Sequence, residues 1–188
     1  MTIYRGVTGI NREIKEQYRG VGGVNREIKE QCRGLGGANK KVFESKVNLY
    51  NCGNEYTAVT GGWREGYVYA VRGTLAKNLD NIYLHVYNGS DIYAETALPL
   101  DLQNYNYIKA AVNITSTGDK AKLVLAITSG PKRSFSSFIA SQNYWSTNGE
   151  ISLPIASYTG LYYIVLQGSS STTQTSSCAA TIKKIWLE

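Results

Sequence analysis

Proline, histidine and cysteine are scarce in this chain of 188 residues, which holds 3, 1 and 3 of them. The cysteines, Cys32, Cys52 and Cys178, are odd in number and form no C-x-x-C pair. That excludes a disulfide framework and a cysteine zinc site, and predicts free buried thiols. One histidine cannot supply a His-Glu-x-x-His metal motif, and neither a Gly-x-Ser-x-Gly elbow nor a Gly-rich phosphate loop is present. No apolar run approaches the roughly 18–20 residues that span a bilayer. The opening Met1-Thr2-Ile3-Tyr4-Arg5-Gly6 lacks the apolar stretch of a secretory signal. We therefore expect no catalysis, no cofactor, no bound metal, no membrane insertion, and synthesis in a cytoplasm.

What the chain does have is tyrosine: 15, against 3 Phe and 3 Trp. Tyrosine suits strands and half-wet surfaces, because its ring packs while its hydroxyl stays hydrated. Gly, Ser, Thr and Asn supply turns between short strands. The composition predicts an all-β protein.

Charge is unevenly spread. Residues 1–42 hold nine Lys or Arg against four Glu, a surplus of five, while the remainder carries a surplus of one. The basic residues alternate with acids, as in Arg12-Glu13 and Lys15-Glu16. A field of mixed sign does not build a nucleic-acid footprint, so none is expected to bind.

The same N-terminal stretch is repetitive. Tyr4-Arg5-Gly6-Val7-Thr8-Gly9-Ile10-Asn11-Arg12-Glu13-Ile14 recurs as Tyr18-Arg19-Gly20-Val21-Gly22-Gly23-Val24-Asn25-Arg26-Glu27-Ile28, and decays in Cys32-Arg33-Gly34-Leu35-Gly36-Gly37-Ala38-Asn39. The period is 14 residues. Turns belong at the glycine-rich tetrads. The charged segments between them read as strands or as two-turn helices capped by Asn11 and Asn25. Strands are favoured, since seven residues make a poor isolated helix. One copy offers too few apolar side chains to fold alone. The expected assembly interface is Val7, Arg12, Ile14, Tyr18, Val21, Arg26 and Ile28, burying against another protein or in a homo-oligomer, a trimer above all.

The repeat Tyr-x-Gly-Val-x-Gly-x-x-Arg-x-Ile-Lys resembles an element of virion and tail-associated proteins of phages and prophages of Firmicutes. Leu49-Tyr50-Asn51-Cys52-Gly53-Asn54-Glu55, Val59-Thr60-Gly61-Gly62-Trp63 and the closing Ile182-Lys183-Lys184-Ile185-Trp186-Leu187-Glu188 are similar to the ends of the sandwich that follows it. The resemblance implies a structural protein of a tailed-phage virion, partnered by other virion proteins. The role expected first is head or tail decoration, with the lobe displayed outward; the alternatives are tail-tip receptor binding through a carbohydrate-binding lobe and a free carbohydrate-binding module of a bacterium.

Residues 43–188 read as an antiparallel, jelly-roll-like β-sandwich following a repeat arm over 1–42. Strands are expected over 65–76, 81–88, 107–116, 121–129, 149–154, 160–167 and 179–187, seven or eight in all. Leu84 and Val86 alternate with Tyr83, His85 and Tyr87; Leu123, Leu125 and Ile127 alternate with Val124 and Ala126. The Ser-rich 168–177 reads as a loop. The strand order resembles, at fold level, carbohydrate-binding modules and galactose-binding-like sandwiches, a fold that hosts many roles. Sugars stack on exposed aromatic rings, so the candidate residues for a cell-surface glycan are Trp63, Tyr83, His85, Tyr87, Tyr144 and Trp145. Asp80, Asp91, Glu95 and Asp101 are expected to form turns at strand ends.

Overall fold

The computed structural model describes residues 46–67, 72–118, 120–132, 137–172 and 175–188, together with the backbone of four strands between 18 and 44. The chain divides into two compact units, Met1–Ser45 and Lys46–Glu188.

In the first unit, β1 (Tyr18–Val21) pairs antiparallel with β2 (Val24–Glu27), and β3 (Glu30–Leu35) with β4 (Ala38–Glu44). The facing strand ends are Val21 with Val24 and Leu35 with Ala38, on either side of the repeat's glycine pairs. Of the expected interface, Val7, Arg12, Ile14 and Ile28 lie outside the described residues. Tyr18, Val21 and Arg26 are placed by backbone register, opposite Glu27, Val24 and Arg19.

The second unit is a sandwich of two antiparallel sheets. Sheet I runs β14 (Thr147–Pro154), β11 (Tyr107–Thr117), β16 (Ser177–Leu187), β8 (Ile82–Tyr87), β7 (Gly73–Lys77), with β5 (Val47–Asn51) also on β16. Sheet II runs β13 (Phe138–Tyr144), β12 (Lys122–Thr128), β15 (Leu161–Ser169), β9 (Asp91–Thr96), β6 (Trp63–Tyr67), with β10 (Leu100–Asp101) also on β15. The short helix α1 spans Thr57–Thr60, and among the described residues no helix is long and apolar enough to cross a membrane.

The core forms because each strand turns alternate apolar residues inward. Sheet I contributes Ile82, Leu84 and Val86 from β8, Ile108, Ala110, Val112 and Ile114 from β11, and Cys178, Ala180 and Ile182 from β16; sheet II contributes Leu123, Leu125, Ile127, Ile164 and Leu166. Each fully buried Leu or Ile stabilises the fold by about 1.5–3 kcal/mol before entropy is counted. A bulge in β16 at Lys183 resets the alternation, so that Ile182 and Ile185, three positions apart, both point inward.

Several expectations change. The segment 65–76 is two strands in different sheets, β6 and β7, because the chain crosses from sheet II to sheet I between them. β5, β9, β10 and β13 add four strands that alternation did not reveal. Asp91 and Glu95 lie within β9 rather than at a turn. Cys178 is buried, but Cys52 is exposed. Residues 168–169 complete β15, and the hydroxyl of Ser170 accepts from the Gly89 and Ser90 N–H groups at 3.1 and 3.2 Å. That contact packs the Ser-rich segment on the Asn88-Gly89 turn, where both residues have positive φ, 53° and 78°. A Cβ at Gly89 would also lie 2.9 Å from Thr172 Cγ2, so only glycine fits.

Candidate functional site

The two outer faces of the sandwich differ. On sheet II, Tyr93, Val124, Ala126 and Val165 are buried, with Phe138 packed against them. Tyr93 lies across Gly66, where a Cβ would stand 2.2 Å from the phenol oxygen. The backbone N–H of Lys132, from the connection after β12, donates to Glu95 Oε2 at 2.6 Å, and its Nζ sits 4.2 Å from the Phe138 ring centre. Burial pushes the Lys132 ammonium below its ordinary value, with Asp91 and Glu95 pulling the other way. Glu95 is 1% exposed.

The outer face of sheet I is open. Because β8 buries Ile82, Leu84 and Val86, it must turn Tyr83, His85 and Tyr87 to solvent. Tyr83 and His85 are half-buried, and Tyr87 is 41% exposed. The ring centres are 6.4 Å apart between Tyr83 and His85 and 5.6 Å between His85 and Tyr87, with tilted planes. The rings form a continuous strip along the strand.

Register fixes what flanks this strip. Ala76, Tyr83, Thr181, Asn113 and Asn148 form one row across β7, β8, β16, β11 and β14. Thr74, His85, Ala179 and Thr115 form the next. Tyr87 stands opposite Ser177, which stands opposite Thr117, and these two hydroxyls are 2.8 Å apart. The neighbours of Tyr83 and His85 are therefore small, which leaves these rings standing above a low floor. At about 4.8 Å per strand, the amide of Asn113 lies roughly 10 Å to one side of Tyr83 and that of Asn148 roughly 15 Å.

Charges on this face are concentrated at its other end. Lys109 Nζ bridges Glu150 at 3.1 Å and Glu188 at 3.3 Å, and Lys46 Nζ lies 4.0 Å above the Trp186 ring. The hydrogen bond to Glu150 raises the Lys109 ammonium above its ordinary value. The Trp186 indole N–H, ahead of Lys109, lowers the Glu188 carboxyl.

Of the sequence candidates, Tyr83, His85 and Tyr87 are brought together and the others are not. Trp63 is a core residue, 3% exposed, with its indole N–H donating to the Leu49 carbonyl at 3.3 Å, so no face remains for a sugar. Tyr144 is half-buried against the core, and its hydroxyl donates to the Ser152 carbonyl and accepts from the Ser152 N–H at 3.1 Å. Trp145, 54% exposed, stands apart in the β13–β14 turn. Thr181, Asn113 and Asn148 were missed, since only sheet register shows that they line up with Tyr83.

Elsewhere, a shallow depression of about 580 Å³ is lined by Gly53, Lys77, Asn78, Leu79 and Asp80, but Lys77 is engaged there by Glu55 at 2.9 Å. Among the described residues no three His, Cys, Asp or Glu side chains converge as metal ligands.

No family model matches the sequence, and no curated protein matches it. Solved structures similar in fold include a family 29 carbohydrate-binding module, at 7% identity and TM-score 0.46 over 77% of this chain and 91% of that one. A low-affinity xylan-binding module from Roseburia intestinalis matches at 12% identity and TM-score 0.45, over 67% and 94%. The enzymatically active domain of tailspike protein 4 from bacteriophage CBA120 matches at 11% identity and TM-score 0.43, over 76% of this chain and 22% of that one. Likenesses of this degree carry nothing about ligand or role.

Proposed function

We propose that residues 46–188 form a glycan-recognition lobe that the N-terminal repeats attach to a phage particle. One observation carries the glycan reading: β8 presents Tyr83, His85 and Tyr87 as a contiguous ring strip on the open face of sheet I. A pyranose has an apolar C–H face and a rim of hydroxyls. Stacking that face on exposed rings removes apolar area from water while the hydroxyls stay hydrated or find amides. Asn113, Asn148, Thr115 and Thr181 supply such partners from the neighbouring strands. The strip covers about 12 Å, long enough for a short run of sugar units, since two residues advance a strand by about 6.8 Å.

The role is binding rather than turnover. Glycoside hydrolysis needs two carboxyl groups about 5–10 Å apart across the scissile bond. On this face the two neighbouring carboxyls, Glu150 and Glu188, are both held by Lys109 at the Trp186 end, away from the ring strip on β8.

The particle reading is supported by the 14-residue repeats, the second and third of which supply the antiparallel pairs β1–β2 and β3–β4. A symmetric assembly through the repeats would convert weak single-site binding into avidity. Tail-tip receptor binding is the role within the particle that a glycan face suits best. Screening the full chain on a glycan array, beside Tyr83→Ala and Tyr87→Ala, tests the lobe; signals that both substitutions leave intact would overturn it. Immunogold labelling of purified particles tests the attachment: gold at the tail tip supports receptor binding, gold along the head or tail supports decoration, and unlabelled particles sink the virion reading.

A further inference from the structure

We infer that the sugar seated on Tyr87 carries an anionic substituent, a carboxylate or a phosphate, and that Arg72 pairs with it. The inference rests on the glycan reading above and names the class of glycan.

Arg72 immediately precedes β7. The Tyr87 N–H donates to the Arg72 carbonyl at 3.0 Å, and the Arg72 N–H donates to Ser90 Oγ at 2.8 Å. The first bond continues the β7–β8 ladder by one pair beyond Gly73 and Val86. Arg72 is thereby set opposite Tyr87 and in phase with Thr74 and Ala76, on the outer face. Its backbone is held at both ends while its side chain is exposed. Among the described residues it has no ion-pair partner, whereas Lys46 and Lys77 have one each and Lys109 has two.

Partner residues on opposed strands stand about 5 Å apart. A guanidinium on a flexible stem therefore reaches the edge of any ring stacked on Tyr87. Its planar fork matches the two oxygens of a carboxylate or phosphate, and such a pair is stronger than a neutral hydrogen bond. No acid on the described residues of β7, β8 or β16 faces this end of the strip to repel an anion. At the Tyr87 end of the strip, the described residues of β7, β8 and β16 thus offer an anionic sugar a stacking surface beside Arg72 and no carboxylate.

The test is calorimetry on the full chain with three probes. These are hexuronic-acid tetrasaccharides, the same tetrasaccharides with their carboxyls reduced to alcohols, and a polyol-phosphate glycan. The expected result is at least a tenfold preference for an acidic probe over its neutral counterpart. That preference should shrink with added salt and vanish in Arg72→Ala, with neutral binding unchanged. Arg72→Lys should keep only part of it, because a point charge lacks the fork. The stronger of the uronate and the phosphate probe identifies the anion. If neutral and acidic probes bind alike, or Arg72→Ala weakens both equally, the inference fails while the glycan reading stands. If no probe binds and the array is blank, the glycan reading fails and takes this one with it.

Discussion

The hydroxyl of Tyr144 on β13 donates to the carbonyl of Ser152 on β14 and accepts from its N–H at 3.1 Å, a two-way bond between sheet II and sheet I. It fastens together the last strand of each sheet at the sandwich's side. Burial raises the Tyr144 phenol above its ordinary value, against the pull of the Ser152 backbone. Tyr144→Phe keeps the ring and deletes both bonds, and should cost about 1–2 kcal/mol of stability. Urea unfolding measures this as a lower midpoint at constant slope, and glycan binding should not change.

Trp63→Ala should be far more costly, about 3–5 kcal/mol, because it empties a packed position and strands the Leu49 carbonyl. Thermal unfolding of the two proteins side by side checks this. A loss comparable to that of an exposed position such as Trp145→Ala would contradict the core assignment.

The cysteines should separate by reactivity. Burial pushes the Cys178 thiol up to about 11, with Ser116 opposing, so it stays protonated at neutral pH. Cys52 is exposed. In a Cys32→Ser background, a thiol reagent at pH 7.5 should modify one cysteine in the folded chain and two after denaturation. Peptide mapping should find the first label at Cys52.

The charged cluster of sheet I gives stability a pH signature at both ends. The Glu188 carboxyl is held below its ordinary 4.5, so its contribution is present above that value and is lost as pH falls through the depressed one. The Lys109 ammonium is held above its ordinary 10.5, so its contribution is present below 10.5 and is lost as pH rises through the higher value. Glu188 is solvent-exposed and Lys109 only partly buried, so solvent screens the pair and the effects are small. Glu188→Gln should lower the melting temperature slightly near pH 7 and leave it almost unchanged in acid, which flattens the acid limb of the profile.

How far these features could be read in the sequence depends on what each strand faces. β8, β11 and β12 were legible because one face of each is continuously apolar, as in Ile82, Leu84 and Val86. β13 was not: Phe138-Ile139-Ala140-Ser141-Gln142-Asn143-Tyr144 is an edge strand, and a bulge at Ile139 breaks its alternation. β9 was hidden for the opposite reason. Both of its faces are buried, so Glu95, which alternation reads as exposed, lies inside against Lys132. The strip of Tyr83, His85 and Tyr87 followed from alternation alone. The row that flanks it needed three long-range registers, and no local pattern encodes those.

The most direct test uses the fact that His85 is the chain's one histidine, so its imidazole signals report on the middle of the strip without assignment. The measurement is an NMR titration of the full chain with a glycan bound on the array, following the His85 ring. A saturable shift of those signals at the same concentration as binding, abolished in Tyr87→Ala, is expected. A glycan that binds while the His85 signals stay fixed would place the site away from the β8 strip.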